Sequence, residues 1–237
     1  MFINELVLEP DTRDYLLSSK RVLEKETPII MDIGANKGDF TTLALSIYPY
    51  AMIHCFEPVP EIYNHLSEKF KDNSQIKVYN FGFFNENKTE TDFYYLKNNA
   101  QDPVASGMSS LYYRKTVFPK FENEKINVKV IKLDEMLDKI SKVNYIKIDT
   151  EGAEVAVLEG GRKFIQQRTP EFIQWEYGGC FIDSNTTGKQ AVEILNSLGY
   201  EIVNQYFVHV TPDNFLENYL CYNLLGVRKD IFSRGRE

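Results

Sequence analysis

The stretch "MDIGANKGDFTT", residues 31–42, joins a short hydrophobic run to a predicted helix through a turn with two glycines. Residues 28–33, "PIIMDI", predict a buried strand, and the helix that follows the turn is expected to end before Pro49. A strand, a glycine turn and a helix form the arrangement that binds nucleotide-like ligands in α/β proteins. An acid, Asp32, stands at the end of this strand. The ligand that this turn takes therefore has to tolerate a nearby carboxylate.

The turn lacks the residues that bind a polyphosphate. A P-loop needs a Gly-Lys-Ser/Thr sequence whose amides and lysine hold phosphates, but here Lys37 precedes Gly38 and Asp39 follows it. A carboxylate at that position would repel a triphosphate. The three-glycine pattern of dinucleotide-binding proteins is missing as well, because three residues separate Gly34 from Gly38 and no third glycine follows.

S-adenosylmethionine (SAM) fits such a turn, because it carries an amino acid and a sulfonium in place of a pyrophosphate. Asp32 could attract the amino group directly or through water, and Gly34 and Gly38 would let the main chain approach the ligand closely. Asn36 could satisfy polar groups in the turn. Glu57, which ends the next predicted strand, is placed to hold the ribose hydroxyls. The alternative is that Asp32 only caps the turn and Glu57 is solvated.

The rest of the chain continues the alternation of strands and helices. Further strands are predicted at residues 51–57, 76–83, 145–150, 171–177, 201–210 and 219–227. Short connections with helices between them predict an α/β fold, with a mostly parallel seven-stranded sheet covered by helices on both faces.

Two segments stand outside this alternation. Residues 1–27 predict an N-terminal helical extension, and residues 89–133 predict a β-hairpin and loop insertion between strands 3 and 4. The loop within residues 97–125 is long, polar and aromatic. We therefore expect it to form a mobile lid over the acceptor site, where the molecule that receives a methyl group from SAM would bind. Residues 1–237 are expected to form a single domain.

Composition excludes several classes of protein. The formal net charge of −7 argues against a general nucleic-acid binder. No apolar run approaches the ~18 residues that a membrane span needs, and the apolar part of the N-terminus is too short for a signal peptide. The three cysteines are far apart and form no CxxC pair, so neither a zinc ribbon nor a disulfide framework is expected. A cytoplasmic location is the expectation.

Three motifs resemble the FkbM family of SAM-dependent methyltransferases, in that family's order. They are "DIGANKGDFT" (32–41), "FEPVPEIYNHL" (56–66) and "IKIDTEGAEVAVLEGG" (146–161), and "PEFIQWEY" (170–177) is similar to the family's next strand. The resemblance implies a Rossmann-like class I methyltransferase fold with SAM as cofactor. It also implies O-methylation as the most frequent reaction, commonly on sugars of glycans or natural products.

The same resemblance implies that Gly82 and Phe83, at the end of the third strand, lie beside the adenine of SAM. We expect a small-molecule or glycan acceptor with a sugar hydroxyl, and no nucleic-acid partner. The alternatives are a methyltransferase that acts on a non-sugar small molecule or on nitrogen, and a catalytically silent SAM-fold subunit of a glycan-assembly complex.

A sugar hydroxyl is a poor nucleophile until a base or a metal takes its proton. Asp149 ends the fourth predicted strand, where ligands bind in this fold, and Glu151 follows two residues later. His209 lies near another strand end and has the intrinsic pKa of a general base. Asp149, Glu151 and His209 are the predicted catalytic residues, although an acid at a helix N-terminus also stabilises the helix dipole.

A metal is a separate hypothesis. Asp149 and Glu176 end the fourth and fifth strands and could supply two oxygen ligands to Mg²⁺. The sequence offers no obvious third ligand, so the primary expectation is a site without a metal.

Overall fold

The computed structural model describes residues 10–23, 27–97, 109–116, 122–218 and 220–234. Its helices are α1 (Pro10–Leu23), α2 (Asp39–Ile47), α3 (Pro60–Lys69), α4 (Glu154–Gly160), α5 (Arg162–Arg168), α6 (Cys180–Asp183), α7 (Gly188–Ser197) and α8 (Lys229–Arg234). Its strands are β1 (Ile29–Ile33), β2 (Met52–Phe56), β3 (Ile76–Tyr79), β4 (Gly82–Phe83), β5 (Lys88–Lys97), β6 (Glu122–Ile131), β7 (Tyr145–Ile148), β8 (Phe172–Tyr177), β9 (Tyr200–Val203), β10 (His209–Val210) and β11 (Tyr222–Arg228).

The main sheet has the order β10-β9-β11-β8-β7-β1-β2-β3. Strands β3, β2, β1, β7 and β8 pair in parallel, whereas β11 runs antiparallel to both β8 and β9. The chain builds outward from β1 to β3 and then returns to place β7 on the other side of β1. This reversal creates the crevice at the carboxyl ends of β1 and β7 where ligands bind in open α/β sheets. The α/β fold class is confirmed, and the sheet is mixed.

The strand count differs from the predicted seven, because the stretch predicted as one strand at residues 201–210 is interrupted. The side chain of Asn204 accepts hydrogen bonds from the backbone N–H groups of Tyr206 and Val208, at 3.0 Å each. These bonds hold a turn, so the chain reverses and β10 pairs antiparallel with β9. The main sheet therefore gains a short eighth strand at its edge.

A second, three-stranded sheet has the order β4-β6-β5 and lies between β3 and β7 in the chain. Strands β5 and β6 form an antiparallel pair, and β4 joins β6 in parallel. The predicted third strand, residues 76–83, is thus divided between the two sheets. Most of the expected lid, including residues 98–108 and 117–121, lies outside the described residues, so the lid stays a prediction.

Each face of the main sheet carries its own apolar core, because side chains alternate along a strand. One face packs Ile33, Ile146 and Trp175 against α4 and α7. The opposite face packs Ile30 and Tyr145 against α1 and α2. Within the described part of the chain, no helix combines the length and the hydropathy that crossing a membrane requires.

Candidate active site

Two adjoining cavities open at the carboxyl ends of the parallel strands. The first cavity, of about 660 Å³, is lined among others by Glu57, Val59, Phe83, Phe93 and Leu111. The second cavity, of about 800 Å³, is lined among others by Thr12, Lys147, Gln174, Glu176 and Asn223. Both are lined by Gly34, Asn36 and Asp149. The turn after β1 and the residue after β7 therefore separate two spaces that together could hold a cofactor and an acceptor.

The two glycines of the turn are required by protein packing. Gly34 has φ +79°, and a Cβ there would stand 1.8 Å from the carbonyl oxygen of Asp149. Gly38 also has φ +79°, and its Cβ would meet the ring of Phe70 at 2.6 Å and Leu66 at 2.7 Å. Side chains rarely adopt this backbone region. We expected the main chain at both glycines to approach a ligand closely. Gly34 lines both cavities, and Gly38 lines neither. The missing side chain at Gly38 instead leaves room for Leu66 on α3 and for Phe70, the residue after α3.

Asp32 is enclosed by protein. Its exposed fraction is 0%, and its Oδ2 accepts a hydrogen bond of 2.7 Å from the hydroxyl of Thr41 on α2. The Nζ of Lys147 lies 3.5 Å from Oδ1. Burial raises the pKa of Asp32, while Lys147 and Thr41 oppose that shift. In the structure Asp32 fixes the turn to α2 through Thr41, and its contact with a cofactor amino group, directly or through water, stays a prediction.

Lys147 is a site residue that we did not predict. Only 7% of it is exposed, and its Nζ lies 3.0 Å from Asp149 Oδ2 and 3.2 Å from the carbonyl oxygen of Gly34, which accepts its hydrogen bond. Burial alone would lower the pKa of Lys147, but Asp149 and Asp32 together raise it above its usual value. The lysine thus joins the turn after β1 to the end of β7. A cation inside the otherwise apolar strand "YIKI" was the available signal.

Glu57 and Asn36 form the polar edge of the first cavity. Glu57 Oε2 accepts a hydrogen bond of 3.0 Å from the backbone N–H of Asn36, and Oε1 accepts one of 2.9 Å from that of Val59. Burial raises the pKa of Glu57 to about 7, and the two N–H groups oppose that shift. The side-chain oxygen of Asn36 is buried and has no hydrogen-bond partner within the described residues. A polar ligand in this cavity would find acceptor groups from both residues.

Gly82 and Phe83 line the apolar part of the same cavity. They form β4, and Phe83 packs its ring against Phe56 at a centroid distance of 4.7 Å. A Cβ on Gly82 would stand 3.3 Å from Pro58. A flat apolar ring could insert beside both residues. That Gly82 and Phe83 lie beside the adenine of SAM stays a proposal.

Three carboxylates meet beside the boundary of the two cavities. One oxygen each from Asp149, Glu151 and Glu176 lies within 4.8 Å of the others. Asp149 follows β7 directly, is 34% exposed at its side chain and lines both cavities. The sequence suggested Asp149 and Glu176 as metal ligands. The structure adds Glu151, which the turn after β7 places beside them.

The carboxylate of Glu151 forms an ion pair within the chain. Arg114, which is 2% exposed, donates from Nη2 to Glu151 Oε2 at 2.8 Å and from Nη1 to the backbone oxygen of Glu151 at 3.1 Å. Burial, with the charge of Asp149 next, raises the pKa of Glu151, and Arg114 opposes this. Glu151 therefore anchors the segment 109–116, part of which lines the first cavity.

The nearby Glu154 has a structural role. It is fully buried and accepts hydrogen bonds from the backbone N–H groups of Thr150 (2.7 Å) and Gly152 (2.9 Å). These bonds hold the turn that leads into α4. Burial raises the pKa of Glu154 to about 7.

The structure does not bring His209 to the site. Its strand β10 is separated from β7 by three strands, a distance of roughly 19 Å at ordinary strand spacing. Its Nε2 lies 2.6 Å from Glu201 Oε2, and its ring packs 5.4 Å from Phe232. The hairpin at Asn204 places it there, so His209 is not part of the proposed site.

The strand order, the glycine turn after β1, the acid that follows β2 and the two adjoining cavities are features of a Rossmann-like SAM-dependent methyltransferase. The chain belongs to the FkbM family, because the Methyltransferase FkbM domain matches residues 32–202. This confirms the resemblance noted in the three motifs, and the family and fold imply SAM as the cofactor.

Relatives with assigned names agree with this class. The 2-O-methyltransferase NoeI of Sinorhizobium fredii is 24% identical over 204 residues, which cover 83% of this chain and 82% of that protein. The methyltransferase sdnD of Sordaria araneosa is 26% identical over 155 residues, 56% of this chain and 60% of that protein. The solved METTL16 MTase domain aligns with a TM-score of 0.52 at 11% identity, over 96% of this chain and 70% of that one, and shows the fold alone.

Proposed function

We propose that the protein transfers the methyl group of SAM to a hydroxyl oxygen of a sugar, in a glycan or a glycosylated metabolite. The relative named as a 2-O-methyltransferase supports oxygen as the acceptor atom. The lining of the second cavity supports a polar acceptor, because nine of its thirteen residues carry polar or charged side chains. Asp149 carries the proposal, since it is the partly exposed carboxylate that lines both cavities.

The first cavity fits the cofactor. Its lining combines apolar side chains with a few polar groups, as small-molecule sites do. Glu57 and Asn36 would hold the polar ribose side, Gly34 would approach the ligand with its main chain, and Gly82 with Phe83 would cover the adenine. Bound SAM supplies an electrophilic methyl group. The unpartnered buried oxygen of Asn36 supports this fit, because a hydrogen-bond donor of the ligand would satisfy it.

Asp149 is proposed to orient the acceptor hydroxyl. Lys147 holds one of its carboxylate oxygens at 3.0 Å, which fixes the side chain in one position. The other oxygen could accept a hydrogen bond from an acceptor in the second cavity. Alignment of this kind accelerates a displacement because the reacting atoms are held in place before the reaction.

A Mg²⁺ ion is an additional hypothesis for the three carboxylates. Mg²⁺ prefers oxygen ligands at about 2.0–2.1 Å, so two of its ligands are at most about 4.2 Å apart. The oxygens of Asp149, Glu151 and Glu176 come within 4.8 Å of one another, so small side-chain movements would suffice. The ion pair of Arg114 with Glu151 competes with such a role. Activity that EDTA abolishes and Mg²⁺ restores would support the ion, and activity unchanged by EDTA would reject it.

Calorimetry with SAM and its demethylated product, together with a screen of sugar acceptors, tests the proposal. We expect affinity in the micromolar range, about −8 kcal/mol, and methyl-ether products from at least one sugar. Asp149→Asn should lower kcat by about 10² with SAM affinity within a few fold, whereas the exposed control Asp72→Asn should change neither.

Other outcomes of the same screen separate the alternatives. Products formed only from non-sugar acceptors would replace sugars with non-sugar small molecules as the proposed substrate class. SAM binding without turnover on any acceptor would favour a catalytically silent subunit.

A further inference from the structure

A fully buried glutamine connects three elements beside the second cavity. Gln174 lies on β8, and its exposed fraction is 0%. Its Oε1 accepts a hydrogen bond of 2.7 Å from the hydroxyl of Tyr145 on β7. Its Nε2 donates to Thr12 Oγ1 on α1 and to Asn223 Oδ1 on β11, at 2.9 Å each. Burying an amide costs free energy unless its groups are hydrogen-bonded, and these three bonds satisfy that requirement.

The two groups that receive hydrogen bonds from Gln174 stand at the wall of the second cavity. Thr12, Gln174 and Asn223 all line this cavity. Thr12 is partly exposed, and Asn223 is 7% exposed. An apolar side chain of similar size could fill the space of Gln174 in the core, but it would not orient these two polar groups. The glutamine therefore fixes where a hydroxyl and an amide meet a ligand in the cavity.

This wall lies close to the point where the two cavities meet. Gln174 is paired with Lys147 in the parallel register of β7 and β8, and neighbouring strands are about 4.8 Å apart. The Nζ of Lys147 lies 3.0 Å from Oδ2 of Asp149, which lines both cavities. An acceptor held against Thr12 and Asn223 would therefore lie beside Asp149.

We propose that Thr12 and Asn223 bind hydroxyls of the acceptor sugar other than the reacting one, and that Gln174 is the positioning residue that orients both. This inference rests on the proposed function. A hydroxyl offers one donor and two acceptor sites, and a side-chain amide offers two of each, so the bond from Gln174 fills only one site on either group. Sugar hydroxyls also donate and accept, which matches this uncharged pair. These contacts select the acceptor, because a sugar that cannot make them leaves buried polar groups unsatisfied.

Gln174→Met tests the positioning role, because methionine fills a similar space without an amide. Methyl hexopyranosides serve as acceptors, and the one that wild type methylates with the lowest KM is the probe. We expect its KM to rise about tenfold or more, since two binding groups lose their orientation, while kcat changes less. SAM affinity by calorimetry should stay within a few fold, because Gln174 does not line the first cavity. A purely structural role would lower Tm and leave the acceptor KM unchanged.

Thr12 provides a second test on a side chain that is less buried. Thr12→Val removes the hydroxyl at nearly constant shape and should raise the acceptor KM about 3–10-fold, the scale of one hydrogen bond. Thr12→Ser retains the hydroxyl and should keep the wild-type KM. The control Thr89→Val, at an exposed position on β5, should leave KM and kcat unchanged.

A double-mutant cycle shows whether Gln174 acts through Thr12. The variant with both Thr12→Val and Gln174→Met should raise KM by less than the product of the two single effects, because both changes remove the same interaction. An active wild type beside Gln174→Met and Thr12→Val proteins with unchanged acceptor KM would overturn the inference alone. If Gln174→Met does not fold, an unchanged KM in Thr12→Val and Asn223→Ala overturns it. A wild type that methylates no sugar would overturn the proposed function, and this inference with it.

Discussion

Lys147→Met tests the buried charge network that links the glycine turn to the end of β7. The Nζ of Lys147 lies 3.5 Å from Asp32 Oδ1, 3.0 Å from Asp149 Oδ2 and 3.2 Å from the Gly34 carbonyl oxygen. Methionine keeps most of the apolar stem but removes the charge. Asp32, which is fully buried, would then keep Thr41 as its hydrogen-bond donor and lose the cation that lies 3.5 Å away.

The expected loss follows from the burial of this pair. Removing one partner of a buried ion pair costs about 3–5 kcal/mol, because the other charge is left uncompensated. For a chain of this size, 1 kcal/mol corresponds to a Tm change of roughly 2–4 °C, so we expect Tm to fall by about 6–20 °C. Thermal unfolding followed by circular dichroism measures the change, and urea unfolding gives the free energy independently.

The pH dependence identifies Asp32 as the cause. Burial raises the pKa of Asp32, and loss of Lys147 should raise it further. An acid whose pKa is raised in the folded state stabilises the fold at low pH, and this contribution is lost as pH rises through the folded pKa. The destabilisation by Lys147→Met should therefore be smaller at about pH 5 than at about pH 8.

A double-mutant cycle completes the test. Asp32→Asn combined with Lys147→Met removes both charges, so the double variant should be more stable than Lys147→Met alone. A Lys147→Met protein within about 1 kcal/mol of wild type at every pH would refute the reasoning, since the pair would then contribute no more than a surface ion pair.

Two further changes probe the turn and the first cavity. Gly34→Ala should prevent folding or cost more than about 3 kcal/mol, because its Cβ would stand 1.8 Å from the Asp149 carbonyl oxygen in a backbone conformation that favours glycine. A Gly34→Ala protein with wild-type urea stability would contradict that packing. Glu57→Gln should weaken SAM binding at least about tenfold, near 1.4 kcal/mol, because the buried carboxylate is the proposed acceptor for the ribose hydroxyls. Calorimetry checks this, and unchanged affinity would give Glu57 the structural role of holding Asn36 and Val59.

Sequence patterns predicted the architecture because the strands between helices are short, apolar and regularly spaced. They failed where a single polar side chain redirects the chain. Asn204 reverses the last predicted edge strand, and this moves His209 away from the carboxyl ends of β1 and β7. The spacing of strand ends gave no signal of this turn.

The candidate site was predictable where strand ends alone define it, as for Asp149 and Glu57. It was not predictable where partners come from distant segments. Gly38 is fixed by Phe70, and Glu151 is held by Arg114, which belongs to the insertion. Glycines and acids of a binding motif look alike in sequence whether they contact a ligand or another part of the chain.

Transfer of an isotopically labelled methyl group from SAM to a sugar acceptor tests the central claim most directly. Incubation of the purified protein with labelled SAM and the acceptor should place the label on a hydroxyl oxygen, as shown by nuclear magnetic resonance of the product. One demethylated cofactor should form for each methyl ether. Label found on nitrogen, or SAM left unchanged with every sugar although the protein is folded, would contradict the account.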